Sequence, residues 1–212
     1  MTIKPRTLCK QLPNRKVSLF YSKKSELANY IESRHEMAMA LCLEFNDNVD
    51  FYQAQPAHIE FLFKGKMRRY TPDFFVRLRN GRILVIEVKC ASILKKDAIL
   101  RERLELLRNV YEARGIEFRV VTDEHLHIGV LIPNLFSLLR YRNKYLDIAD
   151  LENILSGLST HASATRGSLR RHAHSLNLSI DLIDIAIAKG VLGADLTQPL
   201  NDDLIIHFNH LQ

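Results

Sequence analysis

The sequence predicts an α/β protein with helices packed on a mixed sheet, and three observations carry that expectation. Apolar residues recur at helical intervals over 25–45 and again over 94–114. Between these stretches lie runs rich in β-branched and aromatic residues, broken at Gly65, Pro72 and Asn80-Gly81. A short apolar run, Phe118 to Val121, then follows the second helix as a buried strand.

In chain order, residues 1–24 form a basic arm: it lacks acidic side chains but carries Lys4, Arg6, Lys10, Arg15, Lys16, Lys23 and Lys24. Such an arm is either a solvated terminus or a phosphate-binding segment. Leu27, Ile31, Met37, Leu41 and Phe45 place one or two helices between Ser25 and Phe45. Val49 to Tyr52, His58 to Phe63, Phe74 to Leu78 and Ile83 to Val88 read as strands of one sheet. Leu94 to Arg114 is helical through Ile99, Leu100, Leu104, Leu107 and Val110, and Gly115 ends it. The core domain is expected over 25–145. A small C-terminal interaction domain, winged-helix-like, is expected over 146–212. Ser168 to Leu176 and Ser179 to Lys189 resemble a helix-turn-helix with Ser179 as N-cap, and Ala194 to Thr197 with Leu204 to Phe208 a wing-like hairpin.

Composition narrows the class of function. With 47% hydrophobic and 25% charged residues in 212, the chain has the make-up of a folded globular protein. No run approaches the roughly 18 apolar residues of a membrane span, and the N-terminus lacks a signal-peptide core. A cytoplasmic protein is expected. Cys9, Cys42 and Cys90 fit neither a disulfide framework nor zinc pairs. The net charge of +6 is uneven: residues 147–212 hold four basic and eight acidic side chains, which leaves 26 basic and 16 acidic in 1–146. The first two-thirds of the chain is therefore the expected partner of a polyanion.

The chemistry concentrates in Thr71-Pro72-Asp73 and Ile86-Glu87-Val88-Lys89. Glu87 and Lys89, two apart on a strand, share a face. Matching the apolar faces Phe74, Val76, Leu78 and Leu84, Ile86, Val88 predicts pairing of 74 with 88, 76 with 86 and 78 with 84. That register leaves Asn80-Gly81-Arg82 as the loop, sets Asp73 opposite Lys89, and puts Glu87 beside it on the same face. Two carboxylates and a lysine at the end of an otherwise apolar strand suit a hard divalent cation, Mg²⁺ with Mn²⁺ as substitute. Asp73, Glu87 and the Val88 carbonyl would be ligands. Lys89 beside a metal-bound water would favour hydroxide and steady a phosphorane-like transition state, which implies phosphodiester hydrolysis. The plain structural alternative is a charged strand end with a turn residue after proline.

These residues resemble the PD-(D/E)xK nuclease superfamily, and more closely the TnsA family, the endonuclease subunit of heteromeric cut-and-paste transposases. The similarity spans most of 25–125: Glu36 within a helix, Leu43-Glu44-Phe45, Gln55-Pro56, Thr71-Pro72-Asp73-Phe74, Glu87-Val88-Lys89 and Val121-Thr122-Asp123. The resemblance implies a restriction-endonuclease-like mixed sheet flanked by helices, and cutting at the 5′ ends of a transposon in double-stranded DNA. It also implies two partners, a transposase subunit and an ATPase regulator. By it Glu36 corresponds to the upstream helical acid, Asp73 and Glu87 to the metal-binding positions, Lys89 to the catalytic lysine, and Gln55 to a supporting glutamine. The family also admits glutamine where Glu87 stands.

Glu36 has a second reading, since Ser33-Arg34-His35-Glu36 fits the capping box. Glu32 and Glu44 are weaker acidic candidates. Lys64, Lys66, Arg68 and Arg69 read as phosphate contacts, with Lys23 and Lys24, or as a charged edge that blocks sheet extension. His35, His58, His125 and His127 lack metal-ligand spacing. Asp181 and Asp184 in the second helix of the C-terminal pair argue against reading a major groove, although Arg166, Arg170 and Arg171 nearby suit phosphate. Two alternatives accompany the transposon reading: a stand-alone restriction or repair nuclease of the same fold, and a non-catalytic DNA- or protein-binding module.

Overall fold

The computed structural model describes residues 17–156 and 163–208. The arm's Lys4, Arg6, Lys10, Arg15 and Lys16, with Cys9, lie outside the described residues. The chain separates into two compact units, Met1–Leu126 and His127–Gln212, whereas the change in charge balance suggests a boundary near residue 145.

The first unit begins with β1 (Ser18–Ser22) and β2 (Leu27–Ile31), an antiparallel hairpin. Leu27 and Ile31, four apart, mimic helical spacing, but their alternation buries Asn29 and Ile31 and exposes Ala28 and Tyr30, as a strand does. The helix starts later, as α1 (Arg34–Phe45), with Ser33 as N-cap. Glu44, buried in α1, ties the hairpin down: Ser22 Oγ donates to its Oε2 at 2.8 Å, Tyr52 Oη at 2.9 Å, and the Lys23 N–H donates to Oε1 at 3.2 Å.

Next come β3 (Val49–Ala54), β4 (Ile59–Phe63), β5 (Lys66–Tyr70), β6 (Phe74–Leu78) and β7 (Ile83–Lys89). They are followed by α2 (Ala91–Lys96), α3 (Ala98–Glu112), β8 (Glu117–Thr122) and α4 (Asp123–Leu126). The strands do not form one sheet. β3, β6, β7 and β8 make a four-stranded mixed sheet in that order, antiparallel except for the β7–β8 pair. β4 and β5 form a separate ribbon around Lys64-Gly65, both with positive φ (49° and 73°), as a two-residue turn of this hand requires. One face of the sheet, through Val85 and Phe118, packs on Leu100, Leu104, Leu107 and Tyr111 of α3 and on Phe61 and Tyr70 of the ribbon. Alternation leaves Leu84, Ile86 and Val88 for the other face, where α1 meets β3 and β7.

The second unit holds α5 (Leu131–Arg142), α6 (Ile148–Ser156), β9 (Ser163–Thr165), α7 (Arg166–Ser175), α8 (Asp181–Ala188), β10 (Gly193–Ala194) and β11 (Ile205–His207). The three strands form an antiparallel sheet in the order β10, β11, β9. α8 starts two residues after Ser179, and every residue from Leu182 to Ala188 is buried. That is the signature of a central core helix rather than a groove-reading one. α5 packs on α8, and the Arg142 guanidinium donates to the Ala188 carbonyl at 2.7 Å. No helix among the described residues is long and apolar enough to cross a membrane.

Candidate active site at the ends of β6 and β7

β6 pairs with β7 as Phe74 with Ile86, Val76 with Leu84 and Arg77 with Ile83. This is two residues away from the register that matching of apolar faces predicts. The cause is the turn. Leu78 N–H donates to the Arg82 carbonyl at 2.9 Å, so the loop is Arg79-Asn80-Gly81, with Gly81 at φ 82°. A three-residue hairpin loop ends on a left-handed residue, and glycine takes that conformation without strain. A shift of two preserves which face each side chain occupies. Asp73 therefore lies opposite Glu87 rather than Lys89, and all three stay on one side.

Pro72, which has no N–H, precedes the start of β6, and β7 runs on to Lys89 beside β8 alone. Where the β6 ladder ends, the Asp73 carboxylate takes over: Oδ2 accepts the Val88 N–H at 2.7 Å. The Lys89 ammonium sits among three oxygens. It is 2.6 Å from Glu87 Oε1, 3.7 Å from Asp73 Oδ2, and donates to the Val88 carbonyl at 3.0 Å. On its other oxygen Glu87 accepts from the Tyr70 hydroxyl.

The charges are unequal and nearly dry. Burial, then the Glu87 charge, pushes Asp73 up to about 7 against the pull of Lys89. Burial disfavours the charge on Lys89, but Glu87 and Asp73 outweigh it and raise its pKa. Burial and then the Glu87 charge raise both Tyr70 and Tyr111.

Gln55 supports the site through its backbone, donating its N–H to the Asp73 carbonyl at 2.8 Å from a left-handed conformation, φ 45°. Glu36 is the third residue of α1. Its N–H donates to Ser33 Oγ at 3.1 Å and its carboxylate accepts the Glu32 N–H at 2.9 Å, so it caps the helix. Its charge also raises the pKa of Asp73 and Lys89. Asp123 accepts the Ala91 N–H at 2.7 Å, which holds its carboxyl below the usual range and anchors α2 next to the β7 end. Glu44 is a structural acid, as described above.

The basic candidates lie on two hairpins. Lys64, Lys66, Arg68 and Arg69 project from the β4–β5 ribbon, with Lys64 2.8 Å from Glu102 and Arg69 3.1 Å from Glu60. Lys23 is exposed on the β1–β2 turn. Lys24 donates to the Asn46 and Val49 carbonyls, the latter at 2.9 Å, and so closes the end of α1. Sequence reasoning missed Tyr70 as the partner of Glu87. No spacing rule announces it, because β5 contains four exposed residues before this one buried ring.

Three hard oxygen donors focused on one cation are a donor set for Mg²⁺ or Mn²⁺, ions that keep several waters and need few protein ligands. No cluster of three or more His, Cys, Asp and Glu side chains suited to a metal occurs among the described residues. The residues that could hold such an ion are the Asp73 and Glu87 carboxylates with the Val88 carbonyl.

A mixed sheet flanked by helices, with two acids and a lysine where β6 and β7 meet, is consistent with a nuclease-like α/β fold. Residues 46–123, which contain the sheet, the ribbon and the site, match the family model described as TnsA-like endonuclease N terminal. This segment is thereby assigned to the TnsA-like endonuclease family. A comparison with curated proteins finds no significant match.

Proposed function

We propose that the chain is a metal-dependent DNA endonuclease subunit of a heteromeric cut-and-paste transposase, hydrolysing phosphodiesters at the 5′ ends of the transposon. The observation that carries this reading is the convergence of Asp73, Glu87 and the Val88 carbonyl on the single ammonium of Lys89. Two carboxylates against one lysine leave a negative excess in a nearly dry site, where burial first and then the Glu87 charge push Asp73 up to about 7. A divalent cation relieves that excess, and when bound it would supply an activated water and stabilise charge on the phosphate.

The residues' own parts follow from their contacts. Tyr70 fixes the orientation of Glu87, and the Val88 N–H that of Asp73. Lys89 brings a positive charge to where the attacking oxygen or the transition state gains negative charge. Glu36 contributes its field from the start of α1. The basic ribbon suits phosphates flanking the cut. The TnsA-like match supports DNA and other transposition subunits as partners in general, and the reading adds transposon ends, a transposase subunit and an ATPase regulator.

The second unit has the order helix, helix, strand, helix, helix, strand, strand with a three-stranded antiparallel sheet; from α6 onward this order supports a winged-helix-like reading. Buried α8 and the paired Asp184 favour protein docking over groove reading. The test is nicking of transposon-end DNA in Mg²⁺ by the protein with its transposase. Asp73→Ala and Lys89→Ala are expected to lower 5′ cutting by about 10²-fold or more; normal cutting by both variants would remove the proposed site.

A further inference from the structure

The β4–β5 ribbon and the start of α3 enclose a cleft of about 490 Å³. Its floor is apolar, made by the buried Phe61, Tyr70 and Leu100. Phe63 and Ile99 flank it, and Ile99 is 60% exposed, apolar surface that the fold leaves uncovered. The rim is basic. Arg68 on β5 and Arg103 on α3 stand on different elements, and among the described residues neither has an acidic partner. Arg69 is shared with Glu60, and the Asp97 carboxylate is occupied by the Leu100 N–H at 2.8 Å as the cap of α3.

An apolar floor inside a guanidinium rim matches a flat base joined to a phosphate. The volume falls within the range of small-ligand sites, roughly 300–1,000 Å³. An acidic peptide would satisfy the arginines but not the aromatic floor. Location decides between them: Tyr70 lines the cleft and also donates its hydroxyl to Glu87. One side chain, Tyr70, therefore links the cleft to Glu87 and separates the two. We propose that the cleft takes one unstacked nucleotide of the DNA strand beside the cut, its base against Phe63 and Ile99 and its phosphate on Arg68 and Arg103. This rests on the nuclease reading and adds what it lacks, a pocket that admits DNA only where the duplex is open.

The test measures affinity by fluorescence anisotropy with the full chain and no divalent cation, so that nothing is cut. The probes are a duplex with a short single-stranded extension and the same duplex blunt. The extension is expected to raise affinity about tenfold, and abasic sites in it to remove the gain. In Arg103→Ala and in Ile99→Ala, both exposed positions, the ratio between the two probes is expected to fall to about one. A wild-type ratio near one, or a ratio that survives in both variants, overturns the proposal. So does polyglutamate displacing the extended probe from wild type but not from Arg103→Ala, which would make the cleft a peptide site. A deoxynucleoside monophosphate that binds in an Arg103-dependent way while both duplexes bind alike would point to free nucleotide and overturn the DNA assignment. Failure here leaves Asp73-dependent cutting intact, and loss of that cutting leaves this ratio readable.

Discussion

Two buried clusters of acid and base lie in the two units, and they are built to opposite charge excess. In the second unit one carboxylate, Asp184, meets two guanidiniums: Arg166 Nε at 2.7 Å and Nη2 at 2.8 Å, and Arg170 Nη1 at 3.0 Å. Both oxygens are bonded, and the positive excess faces outward, where Asp202 lies 3.5 Å from Arg166. In the first unit two carboxylates meet one ammonium, at 2.6 and 3.7 Å. The acid that gets the poorer share, Asp73, has its pKa pushed to about 7. Burial is common to both, so burial of charge alone does not mark a functional site. The difference is satisfaction: the closed cluster holds helices together, and the open one is where the proposed cation would sit.

The comparison breaks first at Asp184. Its loss strands Arg166 and Arg170 without a counter-charge, so Asp184→Ala is expected to cost about 3–5 kcal/mol in urea unfolding monitored on the second unit. A cost below about 1 kcal/mol would show that this cluster is not closed in the sense argued.

A smaller effect sharpens the contrast at Asp73. Its folded pKa is near 7 and its unfolded value near 3.9, so between these pH values the folded chain binds the extra proton. Without divalent cation, stability contributed by this group should fall as pH rises from about 4 to about 7 and then level off, by on the order of a few kcal/mol. Asp73→Asn should lose this slope, and saturating Mg²⁺ should reverse it, because the cation binds the ionised acid. Denaturation midpoints across this range, with and without Mg²⁺, check the sign.

The smallest effect concerns the backbone behind Asp73. Gln55 holds the Asp73 carbonyl from φ 45°, a conformation glycine adopts freely. Gln55→Gly is expected to stabilise the metal-free chain by up to about 1 kcal/mol if the amide serves only its backbone. A loss of cutting in that variant, with stability unchanged, would instead give the side chain a role in the reaction.

Most of the site was legible before the fold. Asp73, Glu87 and Lys89 share a face because strand alternation depends only on parity, and an error of two residues in register leaves parity untouched. The register itself was not legible from the apolar pattern, since pairings two residues apart bury the same side chains. Turn geometry at Gly81 chose between them. The β1–β2 hairpin was misread because Leu27 and Ile31 fit a helical interval as well as an alternating one. The ribbon strand β5 was hidden by its charges.

What the sequence determined by itself is local and periodic: α1 and α3, the apolar strands, the Ser33 N-cap, and the grouping of two acids with a lysine. Each of these depends on neighbours a few residues away. Only the tertiary structure decided what depends on distant partners. Tyr70 came to Glu87, the Arg166–Asp184–Arg170 cluster closed, α8 became a core helix, and a cleft with a basic rim formed over Tyr70. Those outcomes turn on which groups lose water together, and burial is a property of the folded chain rather than of any segment of it.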